Sequence, residues 1–183
     1  MELSKTSYVI LGMLKLGRHT GYEMKSLVDV STRFFWAASY GQIYPELARL
    51  EELGLVRGKE DRSNGRRRKA YEPTARGERA LRKWLISDEP LHIELRHEGA
   101  LKLFFSDALS PEQQVALVGR VRETHERVAE QLRAIRPAGP EDKPLAPLLT
   151  LEFGIAYQEF LVEWCDRAER RLAGRQAKIA KRR

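Results

Sequence analysis

The chain is short of nearly everything that marks an enzyme, a secreted protein or a membrane protein. It has one cysteine, Cys165, so no internal disulfide can form, and a reducing, cytoplasmic home is expected. No run of the sequence approaches the roughly 18 apolar residues of a membrane span. The short apolar stretch Tyr8-Val9-Ile10-Leu11 is followed by Lys15 and Arg18, with no small-residue cleavage site, so no secretory signal is expected. The four histidines, His19, His92, His97 and His125, are scattered, and none stands at a metal-ligand spacing. There is no Gly-rich phosphate loop and no G-x-S-x-G. With no catalytic constellation in place, the expectation is a protein that is not an enzyme and holds no metal or cofactor.

Charge is plentiful, and it is uneven. Of 183 residues, 32% are charged and 42% hydrophobic, a balance that fits neither a membrane protein nor a disordered chain. Residues 1–87 carry 17 Lys and Arg against 10 Asp and Glu, a net of +7, whereas residues 88–183 carry 16 against 16. A basic half joined to a neutral half suggests a polyanion-binding module attached to something else. A basic surface that only holds water is the competing explanation.

The pattern of apolar residues orders the chain. Ser4 or Thr6 can cap a helix to about Leu16, apolar nearly all round and so expected to be buried, with Gly17 ending it. Gly21 opens a second helix to about Val30, whose core face is Tyr22, Met24, Leu27 and Val28. Ser39-Tyr40-Gly41-Gln42 has the form of a capping box at the head of a third helix. Ile43, Leu47, Leu50 and Leu53 follow on one face, Gly54 stops it, and Pro45 predicts a bend near its start. Leu55 to Glu60 and Arg67 to Glu72 read as a hairpin around the turn at Asn64-Gly65, with Tyr71 inward. Pro73-Thr74 begins a fourth helix with Leu81, Trp84 and Leu85 buried.

Ser87-Asp88-Glu89-Pro90 is the best boundary. Beyond it residues 94–106 look helical, and Ser110-Pro111-Glu112 starts a helix with proline at its first position. Val118, Val121, His125, Val128, Leu132 and Ile135 then form a narrow two-in-seven seam, which argues for a coiled-coil-like contact. Prolines 137, 140, 144 and 147 make a linker. A last helix from about Leu148 carries the stripe Phe153, Ala156, Tyr157, Phe160, Leu161, Trp164 and Ala168. The basic tail from Lys178 is expected to fray.

The residues that carry chemistry lie in the basic half. Arg66, Arg67, Arg68 and Lys69 follow the Asn-Gly turn directly, and a basic hairpin of this kind suits phosphates or the minor groove. Charge that merely guards a strand edge is the alternative. Ser39, Tyr40, Gln42 and Tyr44 stand near the start of the third helix, where helix-turn-helix proteins meet the major groove. Gln42 can read adenine, and the hydroxyls can take phosphate or base edges. Capping alone would also explain Gln42, and packing would explain Tyr44. Tyr22 and Lys25 of the second helix join the candidate DNA contacts. In the neutral half, Val118, Val121, Val128, Leu132, Phe153, Tyr157, Phe160, Leu161 and Trp164 are the candidate dimerisation residues. Phe34, Phe35, Trp36, Phe104 and Phe105 suit either a ligand cavity or core packing. His125 suits a pH switch or an ordinary half-exposed seam position.

Five strings resemble the PadR-like family of transcriptional regulators: Tyr8-Val9-Ile10-Leu11-Gly12, Gly21-Tyr22-Glu23-Met24, Gly41 to Leu50 (G-Q-I-Y-P-E-L-A-R-L), Gly54-Leu55-Val56, and Arg68 to Gly77 (R-K-A-Y-E-P-T-A-R-G). The resemblance implies a mainly α fold with a small β-hairpin. It implies a winged helix-turn-helix DNA-binding domain over 1–87 and a helical dimerisation domain over 93–183, similar to the longer, virulence-activator-like branch. The implied function is transcription regulation, as a repressor that binds double-stranded DNA as a homodimer on an inverted repeat. A small apolar or phenolic effector releases some members of the family. The alternative is a helical protein-interaction module or a small-molecule scaffold without operator recognition.

Overall fold

The structure, a computed structural model, describes residues 3–30, 36, 40–61, 68–91, 93, 95–135 and 145–180, with the side chains at 30, 40, 61, 68 and 176–180 left aside. They fall into two compact units, Met1–Leu91 and His92–Arg183.

Unit 1 runs helix, helix, helix, hairpin, helix: α1 Lys5–Lys15, α2 Gly21–Val30, α3 Tyr40–Glu52, β1 Val56–Asp61, β2 Arg68–Pro73 and α4 Ala75–Leu85. Ser4 caps α1 by accepting the Ser7 amide at 3.1 Å. Ile10, Leu11, Met13 and Leu14 turn into the core, but Tyr8 and Val9 are half-buried and Leu16 is exposed, so α1 is not covered all round as expected. Thr20 and Glu23 make a reciprocal capping box for α2: the Glu23 amide donates to the Thr20 hydroxyl, and Glu23 Oε2 accepts from the Thr20 amide at 2.9 Å. The expected core face of α2 loses Tyr22, which is 60% exposed, and keeps Met24 and Val28.

On α3, Ile43, Leu47 and Leu50 are fully buried, each burial being worth about 1.5–3 kcal/mol. The helix passes through Pro45 unbroken. Gly54 takes a left-handed φ of 66°, which ends α3 and turns the chain into β1. The antiparallel pair β1–β2 matches Val56 with Pro73 and Asp61 with Arg68, and Tyr71 does point inward. Thr20 adds a bridge to Ala70, so the start of α2 is stitched to the hairpin. Thr74 caps α4. A Cβ on Gly77 would lie 2.1 Å from the Leu55 carbonyl oxygen, so glycine alone lets α4 approach β1. Leu81 is buried as expected, but Leu85, at the last turn, is exposed. The result is a winged helix.

Unit 2 comprises α5 Glu98–Phe104, a 3-10 turn Ser106–Ala108, α6 Pro111–Arg133 and α7 Leu145–Ala180. Helix is not continuous over 94–106: His97 caps α5 through its ring Nδ1, and the chain tightens into the 3-10 turn after Phe105. Phe104 and Phe105 are exposed, not packed in a core. Ser110 and Gln113 form a full capping box around Pro111 at the head of α6. Pro147 belongs to the first turn of α7 and not to the linker, because an amide there has no helical partner to lose. α6 and α7 pack antiparallel, as the contacts Leu132 to Gly154, His125 to Gln158 and Arg122 to Glu169 show. Among the described residues one helical stretch, Leu145–Arg175, is long and apolar enough to cross a membrane by length and composition, although polar residues interrupt its apolar run.

Candidate nucleic-acid interface

Unit 1 mounts α3 by its back and leaves its first turns outward. Glu46, one residue before buried Leu47, points to α1 instead of solvent. Its Oε1 accepts from the Ser4 hydroxyl at 2.8 Å, from the Ser7 hydroxyl, and from Arg49 at 2.9 Å. Burial pushes this carboxyl up, but the Ser7 and Ser4 hydroxyls and Arg49 outweigh it and hold its pKa below the usual carboxylate range. Glu51 does the same for the wing. It accepts the Gly58 amide at 3.1 Å and the Lys69 ammonium at 2.5 Å, and the Lys69 bond is the main reason its pKa is lowered. Both carboxylates tie α3 to its surroundings, and neither was singled out by periodicity. Their signal was a charge at a helical step beside the core face.

The outward residues fall as follows. Gln42 is exposed and Tyr44 is 50% exposed, on the half of α3 nearest its N-terminus. Tyr22 stands out from the first turn of α2. The Tyr44 ring lies over Gly21, so these two tyrosines flank the α2–α3 junction. Tyr40 begins α3 and Arg68 begins β2, while Ser39, Arg66 and Arg67 lie outside the described residues, as do Phe34, Phe35 and the Asn64-Gly65 turn. Two of the candidate cations are already engaged. Lys25 is half-buried and pairs with Asp29 one helical turn on. Lys69 pairs with Glu51 and sits 5.4 Å from the Tyr71 ring centre. Lys25 and Lys69 are therefore held by ion pairs within the unit, partners that sequence spacing does not disclose. Tyr71 itself has its pKa raised, chiefly by burial. Outward on the basic unit stand the Gln42 amide and Tyr44 phenol of α3 and the Tyr22 phenol of α2, groups that can both donate and accept hydrogen bonds.

Unit 2 presents a different surface. Val118 and Leu132 are 0% and 2% exposed, and Val121, His125, Val128 and Ile135 are partly covered, with Val121 against Gly99 of α5, His125 against His97 and Gln158, and Leu132 against Gly154 of α7. The seam is therefore largely covered within the chain, and Val118 and Leu132 offer nothing to a second subunit. On α7, Tyr157 and Leu161 are half-buried, whereas Phe153 is 61% and Phe160 54% exposed. A cavity of about 180 Å³ lies between α5, α6 and α7, against His97, Leu103, Val121, Leu161, Trp164 and Cys165. His97 of its wall reaches out of it to His125, their Nε2 atoms 2.9 Å apart, and His125 Nδ1 is 2.6 Å from the Gln158 oxygen. Because His97 Nδ1 accepts the Ala100 amide, His97 Nε2–H donates to His125, and His125 Nδ1–H to Gln158.

Two family models match the chain, one after the other. Residues 10–83 match the model of the Transcriptional regulator PadR-like family, and residues 95–173 that of the Virulence activator alpha C-term. The chain is 33% identical over 107 residues to the Negative transcriptional regulator PadR of Bacillus subtilis, a stretch that spans 58% of this chain and 59% of that relative. Bacillus subtilis PadR in complex with operator DNA superposes with a TM-score of 0.79 at 24% identity, over 91% of this chain and 98% of that one. The PadR-like regulator BC1756 of Bacillus cereus gives 0.80 at 21%, over 93% and 99%, and the Vibrio cholerae virulence activator AphA gives 0.70 at 24%, over 93% and 99%. At these identities the solved structures speak for the fold. Each unit is thus matched, in order, by its own family model: unit 1 resembles the PadR-like transcriptional regulators and unit 2 the C-terminal part of the virulence activators.

Proposed function

We propose that the chain is a cytoplasmic, sequence-specific DNA-binding repressor that acts as a homodimer on an inverted-repeat operator. The observation that carries this reading is the outward row of Gln42 and Tyr44 on a helix anchored behind by Glu46 and Glu51, in the half of the chain that holds all the excess positive charge. Unit 1 is the reader, with the arginines 66–68 meeting phosphate. A relative is named a negative transcriptional regulator, and its structure has been solved with operator DNA and with p-coumaric acid. One reading helix is too little for tight specific binding, and two-fold symmetry doubles it. The exposed row Phe153, Phe160 and Trp164 on α7 supports a second copy as its cover. The cavity against Trp164 and Cys165 is apolar and suits a small apolar effector.

Selection of duplexes from a random pool by the purified chain tests this. An inverted repeat should emerge, with affinity falling steeply as salt rises, and Gln42→Ala should lose about 1–3 kcal/mol of discrimination against a scrambled duplex. A chain that enriches no sequence is not an operator-binding protein.

A further inference from the structure

α2 begins with a glycine whose explanation lies across the junction, in α3. Gly21 is the first residue of α2 and is buried. A Cβ built on it falls 2.7 Å from Tyr44 Cε1, 2.9 Å from Cζ and 3.2 Å from the hydroxyl oxygen. Carbon atoms in ordinary contact sit about 3.5–4.0 Å apart, so the edge of the tyrosine ring occupies the space of an alanine methyl. The backbone itself has no need of glycine here, since the left-handed glycines of the described residues are Gly17 and Gly54. Helix propensity argues against glycine by up to about 1 kcal/mol. The start of α2 is already secured by the Thr20–Glu23 capping box and the Thr20–Ala70 bridge. What glycine uniquely provides at this place is a flat seat for a ring.

The seat matters because of what Tyr44 is next to. Its ring end lies against the first residue of α2, at the helix end with partial positive charge, where a polyanion is favoured. Gln42 is exposed on the same turn of α3, and Tyr22 follows Gly21 directly. With its Cε1–Cζ edge and hydroxyl end against Gly21 the ring is held at the head of α2, while the residue as a whole stays 50% exposed. A methyl there would meet the far end of a movable side chain and not backbone, so the ring would swing away while the fold stayed whole.

The geometry points to Gly21 as a positioning residue for DNA recognition, which seats the Tyr44 ring at the head of α2 so that its hydroxyl is held ready for DNA beside Gln42. This rests on unit 1 being the DNA reader. The test uses the full chain and its Gly21→Ala, Tyr44→Phe, Tyr44→Ala and Gly21→Ala/Tyr44→Ala variants. Affinities are measured for the duplex that the unsubstituted chain selects and for a scrambled duplex, with melting temperature and the ring NMR signals of Tyr44 read in the DNA-free chain. Gly21→Ala should melt at or above the unsubstituted chain, shift the Tyr44 signals, and weaken the selected duplex roughly fivefold or more, the lower end for one good contact. Tyr44→Phe should weaken it too. In the Tyr44→Ala background, adding Gly21→Ala should change nothing further. Equal losses from Gly21→Ala with and without the Tyr44 ring would overturn the inference, as would unmoved ring signals and unmoved affinity beside a selective parent chain. A parent chain that selects no duplex removes the DNA reading itself, and the inference falls with it.

Discussion

The two units use their apolar residues in opposite ways. Among the described residues, thirteen hydrophobic residues are buried in unit 1 and five in unit 2, so the first is built round a closed core and the second round the contact of two helices. Unit 1 keeps charge outside and binds it down with carboxylates: Glu23, Glu46 and Glu51 each accept several hydrogen bonds. Unit 2 leaves Phe104, Leu145, Leu149, Phe153 and Phe160 exposed. A protein that reads a rigid polyanion needs its reading side chains held still. A protein that assembles needs apolar surface left uncovered.

The sharpest way to break unit 1 alone is at the closest backbone approach. Gly77→Ala places a methyl 2.1 Å from the Leu55 carbonyl oxygen, and backbone cannot step aside. It should cost about 3 kcal/mol or more. Limited proteolysis should then find unit 1 cleaved and α6–α7 still protected. An intact unit 1 in this variant would mean that α4 is not seated as described.

Unit 2 should be broken from outside and not from within. Phe153→Glu with Phe160→Glu replaces exposed rings, so helix content should persist while sedimentation shifts from dimer to monomer, a loss of at least tenfold in association. By contrast, Leu132→Ala, inside the chain, should lower stability by about 2–5 kcal/mol. If both variants lost helix equally, the outer row would be part of the fold.

Glu46 gives a smaller, pH-dependent effect. Its pKa in the folded chain lies below the unfolded value, so its contribution is present above the unfolded pKa and is lost as pH falls through the folded one. Glu46→Gln should cost about 1–3 kcal/mol near neutrality, by urea titration, and should flatten the acid limb of the stability profile below about pH 4.5. An acid limb as steep as before would assign it to other carboxylates.

His97 should give the smallest effect and should confine it to unit 2. Burial first, and His125 second, lower its pKa below 6.5. The unfolded chain then takes up protons that the folded chain resists, so unit 2 should weaken as pH falls below about 6.5. His97→Asn should remove that trend while leaving the neutral melting temperature nearly unchanged. Hydrogen exchange of α5 amides at pH 5 and 7 reads it directly.

Local rules made much of this fold readable in advance. Ser4, Thr74 and Ser110 start helices where small hydroxyls precede an apolar period, and Ile43, Leu47 and Leu50 face inward as their spacing requires. Tyr71 alternates inward along β2. What could not be read depends on partners far along the chain. A two-in-seven seam is the same pattern whether its cover is another subunit or the same chain, and here α5 and α7 cover much of it. Tyr22 and Leu85 fit a helical period but stand mostly exposed. Of the candidate interface, the exposed Gln42 and Tyr44 stand where helix position put them. The engagement of Lys25 and Lys69 was hidden, because a cation's partner is chosen by folding and not by spacing.

α7 shows one further consequence of its length and pitch. Gly154, Gln158, Leu161 and Cys165 face α6, while Leu149, Phe153, Phe160 and Trp164 lie ~120° round the same helix, at about 100° per residue. The two rows share a backbone but no side chain. Trp164 and Phe160 meet the inner row at the cavity wall, whereas Leu149 and Phe153 lie outside it, so exchanging those two changes what the outer surface offers without altering how the two long helices hold together.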